Sequence, residues 1–234
     1  MTDITYYGHS TFLVTLDNTK ILFDPFISPN ELAEGIDIQA INADYILITH
    51  GHGDHVADVE VIAKNNNATV VANFEVATWF QEKGVEKVHP MNHGGSKTFD
   101  FGKVKYVHAI HSSTLPDGTP GGNPGGFVVQ SKDTTFYYAG DTGLIPEMEW
   151  IPRHYGRIDL AVLPVGGNFT MDYEEAALAA GYIGCRQIIG VHFDTFPPIE
   201  IDKAAARSHF AAKNLELTLP EIGQTLSFDA QPRY

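Results

Sequence analysis

Residues 45 to 55 of the chain read Tyr-Ile-Leu-Ile-Thr-His-Gly-His-Gly-Asp-His. The opening part of this stretch is a short, nearly continuous apolar run, which predicts a strand buried on both faces. Histidines and an aspartate follow directly, and Gly51 and Gly53 permit the sharp turns that would let these side chains converge. Neutral imidazoles and carboxylates bind borderline divalent metals well. The stretch therefore predicts a metal site at the end of a buried strand.

The spacing of these histidines differs from that of a helical zinc motif. His50 and His52 are separated by one residue, which suits an extended or turning backbone, whereas helical ligands need a separation of about four. Asp54 and His55 come next and could turn toward a second metal position. The alternative interpretation is a histidine-rich surface loop that binds metal incidentally. With 11 histidines in the chain, such a pattern should arise by chance in roughly two chains per thousand of this composition.

The composition is that of a globular protein. The chain has 234 residues, of which 43% are hydrophobic and 19% charged, so it can build a substantial core. We find no linker, repeat or low-complexity tract. The sequence therefore predicts a single domain over residues 1–234.

Charge and cysteine content restrict the partners. The formal net charge is −14 and no run of basic residues occurs, whereas nucleic-acid binders cluster lysine and arginine. We expect a small-molecule substrate and no nucleic-acid partner, and a homo-oligomer stays open. The lone Cys185, the lack of a signal-peptide pattern and the lack of an apolar stretch of membrane-spanning length predict a cytoplasmic protein without membrane association.

Strand-like and helix-like patterns alternate in both halves of the chain, which predicts two sheets with helices outside. The predicted strands are 11–16, 20–23, 45–49, 69–72, 97–101, 104–110, 127–130, 135–139, 159–165, 187–191 and one near 215–219. The predicted helices are 56–64, 74–83, 173–183 and 202–213.

Three further candidate ligands stand at the ends of predicted strands, namely His111, Asp141 and His192. Taken alone, each is more often a turn or core residue than a ligand, and Asp141 could simply cap a helix. His108 has the opposite strand parity to His111, so we expect it to be a packed or surface residue. Together with residues 50–55, the three complete the ligand count that a two-metal site needs.

In order and approximate spacing, these residues resemble the ligand motifs of the metallo-β-lactamase superfamily. The chain is most similar to a branch of bacterial metal-dependent hydrolases related to ascorbate-6-phosphate lactonase. The segments that suggest this branch are 7–10, 23–26, 138–142, 167–171 and 192–197. The resemblance implies an α/β (α+β) fold of the metallo-β-lactamase type, a four-layer αββα sandwich with the site at one edge of the paired sheets.

The resemblance also implies a division of the ligands between two divalent ions. The first ion would be held by His50, His52 and His111. The second would be held by Asp54, His55 and His192, and Asp141 would bridge the two. Zinc is the first expectation, and manganese, iron or nickel are alternatives because sites of this kind accept several of these metals.

Such a centre predicts a metal-dependent hydrolase. Two ions lower the pKa of a shared water toward about 7 and polarise a carbonyl or phosphoryl oxygen. We therefore expect metal-activated hydroxide to attack a small ester, lactone or phosphate-containing substrate. In this hypothesis Asp54 binds the second ion and orients the nucleophile.

Other residues are candidates for supporting roles. His9 could bind substrate or protonate the leaving group, and an exposed or supporting role is equally compatible with its position. Asp24 could hydrogen-bond a ligand histidine, or simply form the turn before Pro25. The resemblance suggests that Asn168 contacts substrate. The segment 114–126, with five glycines and three prolines, could shape or cover the pocket.

Rival functions remain on the same fold. A phosphodiesterase or nuclease is one, although the acidic charge counts against it. A glyoxalase-II-type thioesterase would need an extra helical domain for which this chain has no room. A non-catalytic metal-binding protein is the alternative from another class, but such proteins usually lose ligands and this sequence keeps every expected one.

Overall fold

The computed structural model describes residues 2–228, and fourteen strands form its framework. In chain order they are β1 (Thr2–Gly8), β2 (Thr11–Leu16), β3 (Thr19–Phe23), β4 (Tyr45–Leu47), β5 (Thr69–Asn73), β6 (Val88–Met91), β7 (Ser96–Phe99), β8 (Gly102–His108), β9 (Gly125–Gln130), β10 (Thr135–Tyr138), β11 (Leu160–Pro164), β12 (Gln187–Val191), β13 (Glu216–Thr218) and β14 (Thr225–Phe228). They build one sheet of order β14-β1-β2-β3-β4-β5-β6 and another of order β13-β12-β11-β10-β9-β8-β7.

Helices cover the outer face of each sheet. They are α1 (Gly53–Val56), α2 (Val59–Asn66), α3 (Phe74–Glu82), α4 (Trp150–Tyr155), α5 (Tyr173–Ile183) and α6 (Lys203–Ala212). The longest, α5, starts where the Asp172 carboxylate accepts the amides of Glu174 and Glu175, and it ends where Gly184 turns left-handed at φ +68°. These are the N-cap and C-cap devices that satisfy the free backbone groups of helix ends.

Three apolar cores separate four layers. An aromatic core lies between the sheets, where Phe12 and Phe23 stack at 4.6 Å and Tyr138 packs edge-on against both. The other two cores lie between each sheet and its helices. In β4, Ile46 faces the helices and Leu47 faces the second sheet, so this strand is buried on both faces as predicted. The predicted αββα sandwich is confirmed.

Several predicted elements match the structure closely. The helix 173–183, the strand 187–191 and the hairpin 127–130 with 135–139 all form. Sequence reasoning missed β6, which contains a proline, and β14, which pairs with β1 from the far end of the chain. The prediction of one continuous helix over residues 56–64 was wrong. Asp58 interrupts it, because its carboxylate accepts the amides of Ile27 and Ser28.

The strands before two candidate ligands are shorter than predicted. β8 ends at His108 and β10 at Tyr138, so His111 and Asp141 lie in the connections beyond them. The backbone leaves the ladders there because the Ile110 amide bonds to Thr142 Oγ1, and the Gly143 amide bonds to the Ile110 carbonyl. These loops therefore cross-link one another instead of extending the sheet.

The site-bearing strands run in the same direction within each sheet. β1, β3 and β4 are mutually parallel in the first sheet, as are β8, β10, β11 and β12 in the second. Their carboxyl ends meet at one edge, where the Gly125 amide bonds to the Thr49 carbonyl across the two sheets. Within residues 2–228, no helix is both long and apolar enough to cross a bilayer.

Candidate metal centre

The connection after β4 carries the densest group of candidate ligands. It turns sharply at His52, whose extended backbone leads into α1 (Gly53–Val56). His50 and His55 are fully buried, whereas Asp54 is 27% exposed. The short helix brings Asp54 beside His9, while the ring of His55 stays 4.2 Å from the ring of His50. One loop therefore presents donors to two neighbouring positions.

The first donor set consists of His50, His52 and His111. One ring nitrogen from each lies within 4.8 Å of the others. His50 Nε2 and His52 Nδ1 are 3.0 Å apart, and the other nitrogen of His52 lies 3.2 Å from Ser112 Oγ. Three imidazoles that converge in this way match the ligand set of a single divalent ion.

The second donor set joins Asp54 and His55 with His192 and, in addition, His9. His192 Nε2 and His55 Nε2 each lie 3.9 Å from Asp54 Oδ2. His9 Nε2 is closer, at 3.1 Å from the same oxygen, and its Nδ1 is 3.0 Å from Thr195 Oγ1. His9 is expected from the sequence to bind substrate, protonate the leaving group or have a supporting role, and it is not among the ligands that the sequence predicts.

Asp141 lies between the two sets. Its Oδ2 is 2.9 Å from His192 Nε2, 3.3 Å from His55 Nε2 and 3.6 Å from His111 Nε2. It also forms a donor group with His50 and His55. This is the position that a carboxylate bridging two ions would occupy.

Three buried atoms in this cluster lack any hydrogen-bond partner, namely His55 Nε2, Asp141 Oδ1 and His192 Nδ1. A buried polar atom without a partner costs about 1–3 kcal/mol, so native structures rarely leave one without reason. A divalent ion between the donor sets would supply a partner to His55 Nε2 and to Asp141 Oδ1. The imidazole and carboxylate donors here therefore fit divalent metal ions.

Asp24 fixes two of the histidines through hydrogen bonds to their Nδ1 side, directly for His55 and through Thr49 for His50. It is fully buried, and its Oδ2 lies 2.9 Å from His55 Nδ1 and accepts hydrogen bonds from Tyr138 (2.7 Å) and from the Thr49 hydroxyl (2.7 Å). The Thr49 oxygen is in turn 3.0 Å from His50 Nδ1. Protons on these two Nδ1 atoms leave each Nε2 with a free lone pair, which is the tautomer that a metal ligand needs.

Burial controls the protonation of several histidines. Desolvation lowers the pKa of His9 to about 4 and the pKa of His50 well below its usual value, and it also lowers the pKa of His52 and His111. These imidazoles are therefore neutral near pH 7. Neutral imidazole is the form that binds a metal ion.

The carboxylates favour a positive charge at the centre of the cluster. Burial alone would raise the pKa of Asp54 and of Asp141, but the neighbouring histidines outweigh it and lower both. Burial would likewise lower the pKa of His55, yet Asp141, Asp24 and Asp54 together raise it well above the usual value. A bound cation would supply the same positive charge.

Residues 19–193 match the family model of the beta-lactamase superfamily domain. A protein of Flavobacterium johnsoniae described as a UPF0173 metal-dependent hydrolase is 52% identical over 223 residues, which cover 95% of this chain and 98% of that protein. The chain belongs to the metallo-β-lactamase superfamily. Its UPF0173 relatives, which are metal-dependent hydrolases, also include YtkL of Bacillus subtilis, 46% identical over 86% of this chain and 90% of YtkL.

Solved structures agree with this membership. Igni18, a metallo hydrolase of the archaeon Ignicoccus hospitalis, superimposes with a TM-score of 0.88 at 31% identity, covering 98% of this chain and 99% of Igni18. An isothiocyanate hydrolase from Delia radicum gut bacteria shares the fold, with a TM-score of 0.79 at 17% identity over 98% of this chain and 100% of that one. The resemblance to superfamily metal-dependent hydrolases is thus confirmed.

Strained backbone supports the site of this superfamily member. His9, Asp24 and His192 have positive φ angles of 52°, 41° and 56°, a conformation that costs a non-glycine residue about 1 kcal/mol or more. The His192 amide bonds to the His9 carbonyl at 2.8 Å, which ties the two sheets together at the site. The surrounding fold stabilises these conformations, and they direct the three side chains into the cluster.

The segment 114–126 packs onto the ligand loop. Leu115 is buried, and a side chain at Gly51 would meet it at 3.1 Å. Ser113 Oγ accepts the Gly51 amide and donates to the Gly121 carbonyl. The final two residues of the segment already belong to β9. The segment therefore packs against the loop that carries His50 and His52.

The structure does not bring every candidate to the donors. Asn168 is exposed in a left-handed turn at φ 55°, and in residues 2–228 no hydrogen bond joins its side chain to the donor sets. His108 is exposed and pairs with Glu147 at 3.8 Å. Sequence reasoning overlooked Thr49 and Tyr138, whose contacts with Asp24 come from folding rather than from any local pattern.

Proposed function

We propose that the chain is a dinuclear metal-dependent hydrolase that cleaves a small ester, lactone or phosphate-containing substrate. The observation that carries this proposal is the convergence of two donor sets on Asp141, with the buried atoms His55 Nε2 and Asp141 Oδ1 left without a hydrogen-bond partner. Membership in a family of metal-dependent hydrolases supports it.

The donors divide between two ions. His50, His52 and His111 would hold one ion, and Asp54, His55 and His192 the other, with Asp141 between them. Bound divalent ions would lower the pKa of water and polarise the carbonyl or phosphoryl oxygen under attack. Zinc suits this mixture of imidazole and carboxylate, and manganese, iron or nickel are also accepted by such donors.

Asp54 acts on the incoming water in this proposal, and His9 positions Asp54. Asp54 is the one partly exposed side chain of its donor set, so water and substrate reach its carboxylate first. His9 is buried and both of its ring nitrogens have partners, Asp54 on one side and Thr195 on the other. Of the two roles considered for His9, this geometry favours positioning Asp54. It does not favour donating a proton to the leaving group.

The test is metal analysis of freshly purified protein together with a hydrolysis panel of esters, lactones and phosphodiesters. We expect close to two ions per chain by plasma mass spectrometry, and turnover that chelation abolishes. His52→Ala should lose metal and activity, whereas His108→Ala should keep both because His108 lies outside the donor sets. Bound metal without hydrolysis of any substrate class would support a non-catalytic metal-binding protein instead.

A further inference from the structure

The connections at the site edge share an unusual composition. Those that follow β1, β3, β4, β8, β10, β11 and β12 comprise residues 9–10, 24–44, 48–58, 109–124, 139–149, 165–172 and 192–202. They make up about a third of the chain, yet none of its 15 lysines and arginines lies in them. Enzymes that bind phosphorylated or carboxylated substrates usually place arginine or lysine against the anionic group. These loops offer no such group.

Two lysines next to these connections are already engaged. Lys203, at the start of α6, lies 2.8 Å from Asp194 and so is neutralised locally. Lys83 lies over the ring of Trp79, at 4.1 Å from its centroid. The Trp79 indole donates to Asp117, which places a further carboxylate on that side. Neither lysine is a free anchor for an anion.

Carboxylates occupy the accessible part of the edge instead. Asp54 is partly exposed among the donors, and Asp117 lies at the tip of the loop that covers Gly51. A second anionic group on a substrate, remote from the bond that is cleaved and from the metal ions, would therefore meet like charge without a lysine or arginine to compensate it. Such juxtapositions weaken binding and slow association.

Large apolar side chains are exposed at the same edge. Ile110 precedes His111 and is 57% exposed, and Phe169 is 54% exposed in the turn after β11. Both loops are bonded to the residue after Asp141, because Thr142 Oγ1 accepts the Ile110 amide and the Thr142 carbonyl accepts the Met171 amide. Ligand sites combine apolar side chains with a few polar groups, so exposed apolar side chains on loops bonded to the residue after Asp141 are candidates to line such a site.

An aromatic pair adjoins the second donor set. The rings of Phe26 and Phe196 each lie 5.5 Å from the ring of His9, and 6.1 Å from each other. Phe196 is only half-buried, whereas Phe26 is buried. Apolar surface therefore adjoins both donor sets.

We propose that the substrate is an uncharged carboxylic ester or lactone with an apolar acyl group. This acyl group would pack against Ile110 and Phe169. This inference rests on the proposed hydrolase function and narrows it. Water adds to the acyl carbon, the bond from that carbon to the alcohol oxygen breaks, and a proton of the water passes to the alcohol. The products are a carboxylic acid and an alcohol.

The test compares two esters of equal chain length, p-nitrophenyl hexanoate and the mono-p-nitrophenyl ester of adipic acid. The two esters differ at the sixth carbon of the acyl chain, which is a methyl group in the hexanoate and a carboxylate in the adipic acid ester. After subtraction of the uncatalysed rates, we expect the metal-loaded enzyme to show a kcat/KM at least about tenfold higher for the neutral ester.

Substitutions at the apolar surface should change that ratio. Ile110→Lys and Phe169→Lys each supply a cation and remove apolar area, so we expect the preference for the neutral ester to shrink by about tenfold or to reverse. Leu178→Lys is the matched control, because Leu178 is 47% exposed on α5 and lies outside these connections. Its ratio should equal that of the wild type.

The outcomes separate the two proposals. Equal or faster cleavage of the charged ester by the wild type overturns the inferred substrate class but leaves the hydrolase function standing. An unchanged ratio in both lysine variants overturns the assignment of the apolar surface. If the metal-loaded wild type cleaves neither ester but does cleave a phosphodiester, the substrate class is wrong. If it cleaves no compound at all, the proposed function fails.

Discussion

The two halves of the molecule supply candidate ligands in different ways. In the first sheet, one connection after β4 supplies four of them within residues 50–55. In the second sheet, His111, Asp141 and His192 come singly from the connections after β8, β10 and β12. Both halves use the same edge, but one relies on local backbone turns and the other on the alignment of parallel strands.

This difference shows which interactions place the donors. The spacing within residues 50–55 follows from two glycines and one turn of helix, so it depends little on the rest of the fold. The three donors of the second half converge only when their strands are aligned and the sheets are stacked. Cross-sheet contacts, such as the hydrogen bond from His192 to His9, hold the halves in register. The second half is therefore the more sensitive to remote changes.

The strongest test of this comparison removes Asp141. If the first half could hold the ions by itself, Asp141→Ala would retain them. Because Asp141 approaches both donor sets, we expect fewer than one ion per chain and a fall in kcat/KM of about a hundredfold to a thousandfold. Plasma mass spectrometry and steady-state kinetics would measure both. Full metal content in the variant would show that the first half suffices.

A substitution of Asp24 tests how strongly the ligands of the first half depend on the buried hydrogen bonds of this residue. Asp24→Asn should weaken metal binding by about 10- to 100-fold, because an amide no longer fixes the tautomer of His55 directly and that of His50 through the Thr49 hydroxyl. Competition with a chelator would measure the affinity. Asp58→Asn is the control, since Asp58 is also buried but its carboxylate accepts the backbone amides of Ile27 and Ser28 rather than a ligand histidine in the described residues 2–228. Equal losses of affinity in the two variants would contradict the assigned role.

The junction between the halves can be probed at Gly140. A side chain there would approach Thr49 Cβ and the Gly125 carbonyl at 2.8 Å, whereas a side chain at Gly184 would meet nothing within 4 Å. The φ angles are nearly equal, at +65° and +68°. Gly140→Ala should thus lower the free energy of unfolding by about 2 kcal/mol more than Gly184→Ala, as urea denaturation would show. Equal losses would mean that the junction adapts.

The smallest expected effect concerns pH. The pKa of His9 falls from 6.5 to about 4 on folding because of burial. Between these values the unfolded chain binds more protons, so the free energy of unfolding of the metal-free protein should decrease as the pH falls from 6.5 to 4. The raised pKa of His55 acts in the opposite sense.

His9→Gln removes the titrating group and should flatten this decrease. Denaturation of the chelated wild type and variant at pH 7 and pH 5 would measure it. Parallel pH profiles in the two proteins would show that His9 does not contribute.

Much of the fold was readable from the sequence. The helix 173–183 and the strand 187–191 were predicted to the residue, because apolar periodicity, the cap at Asp172 and Gly184 all agree there. The strand β14 was not predictable in this way, since its partner β1 lies at the other end of the chain. The ends of β8 and β10 were also misjudged, because hydrogen bonds between their loops terminate them.

The sequence by itself determined which side chains could bind metal and that each follows a predicted strand, because residue chemistry and strand periodicity are local properties. Only the tertiary structure decided how they are held. The contacts of Asp24 with Tyr138 and His55, and of His9 with Asp54, join residues far apart in the chain. They exist because two sheets stack around one aromatic core, and no local pattern records which buried groups then meet.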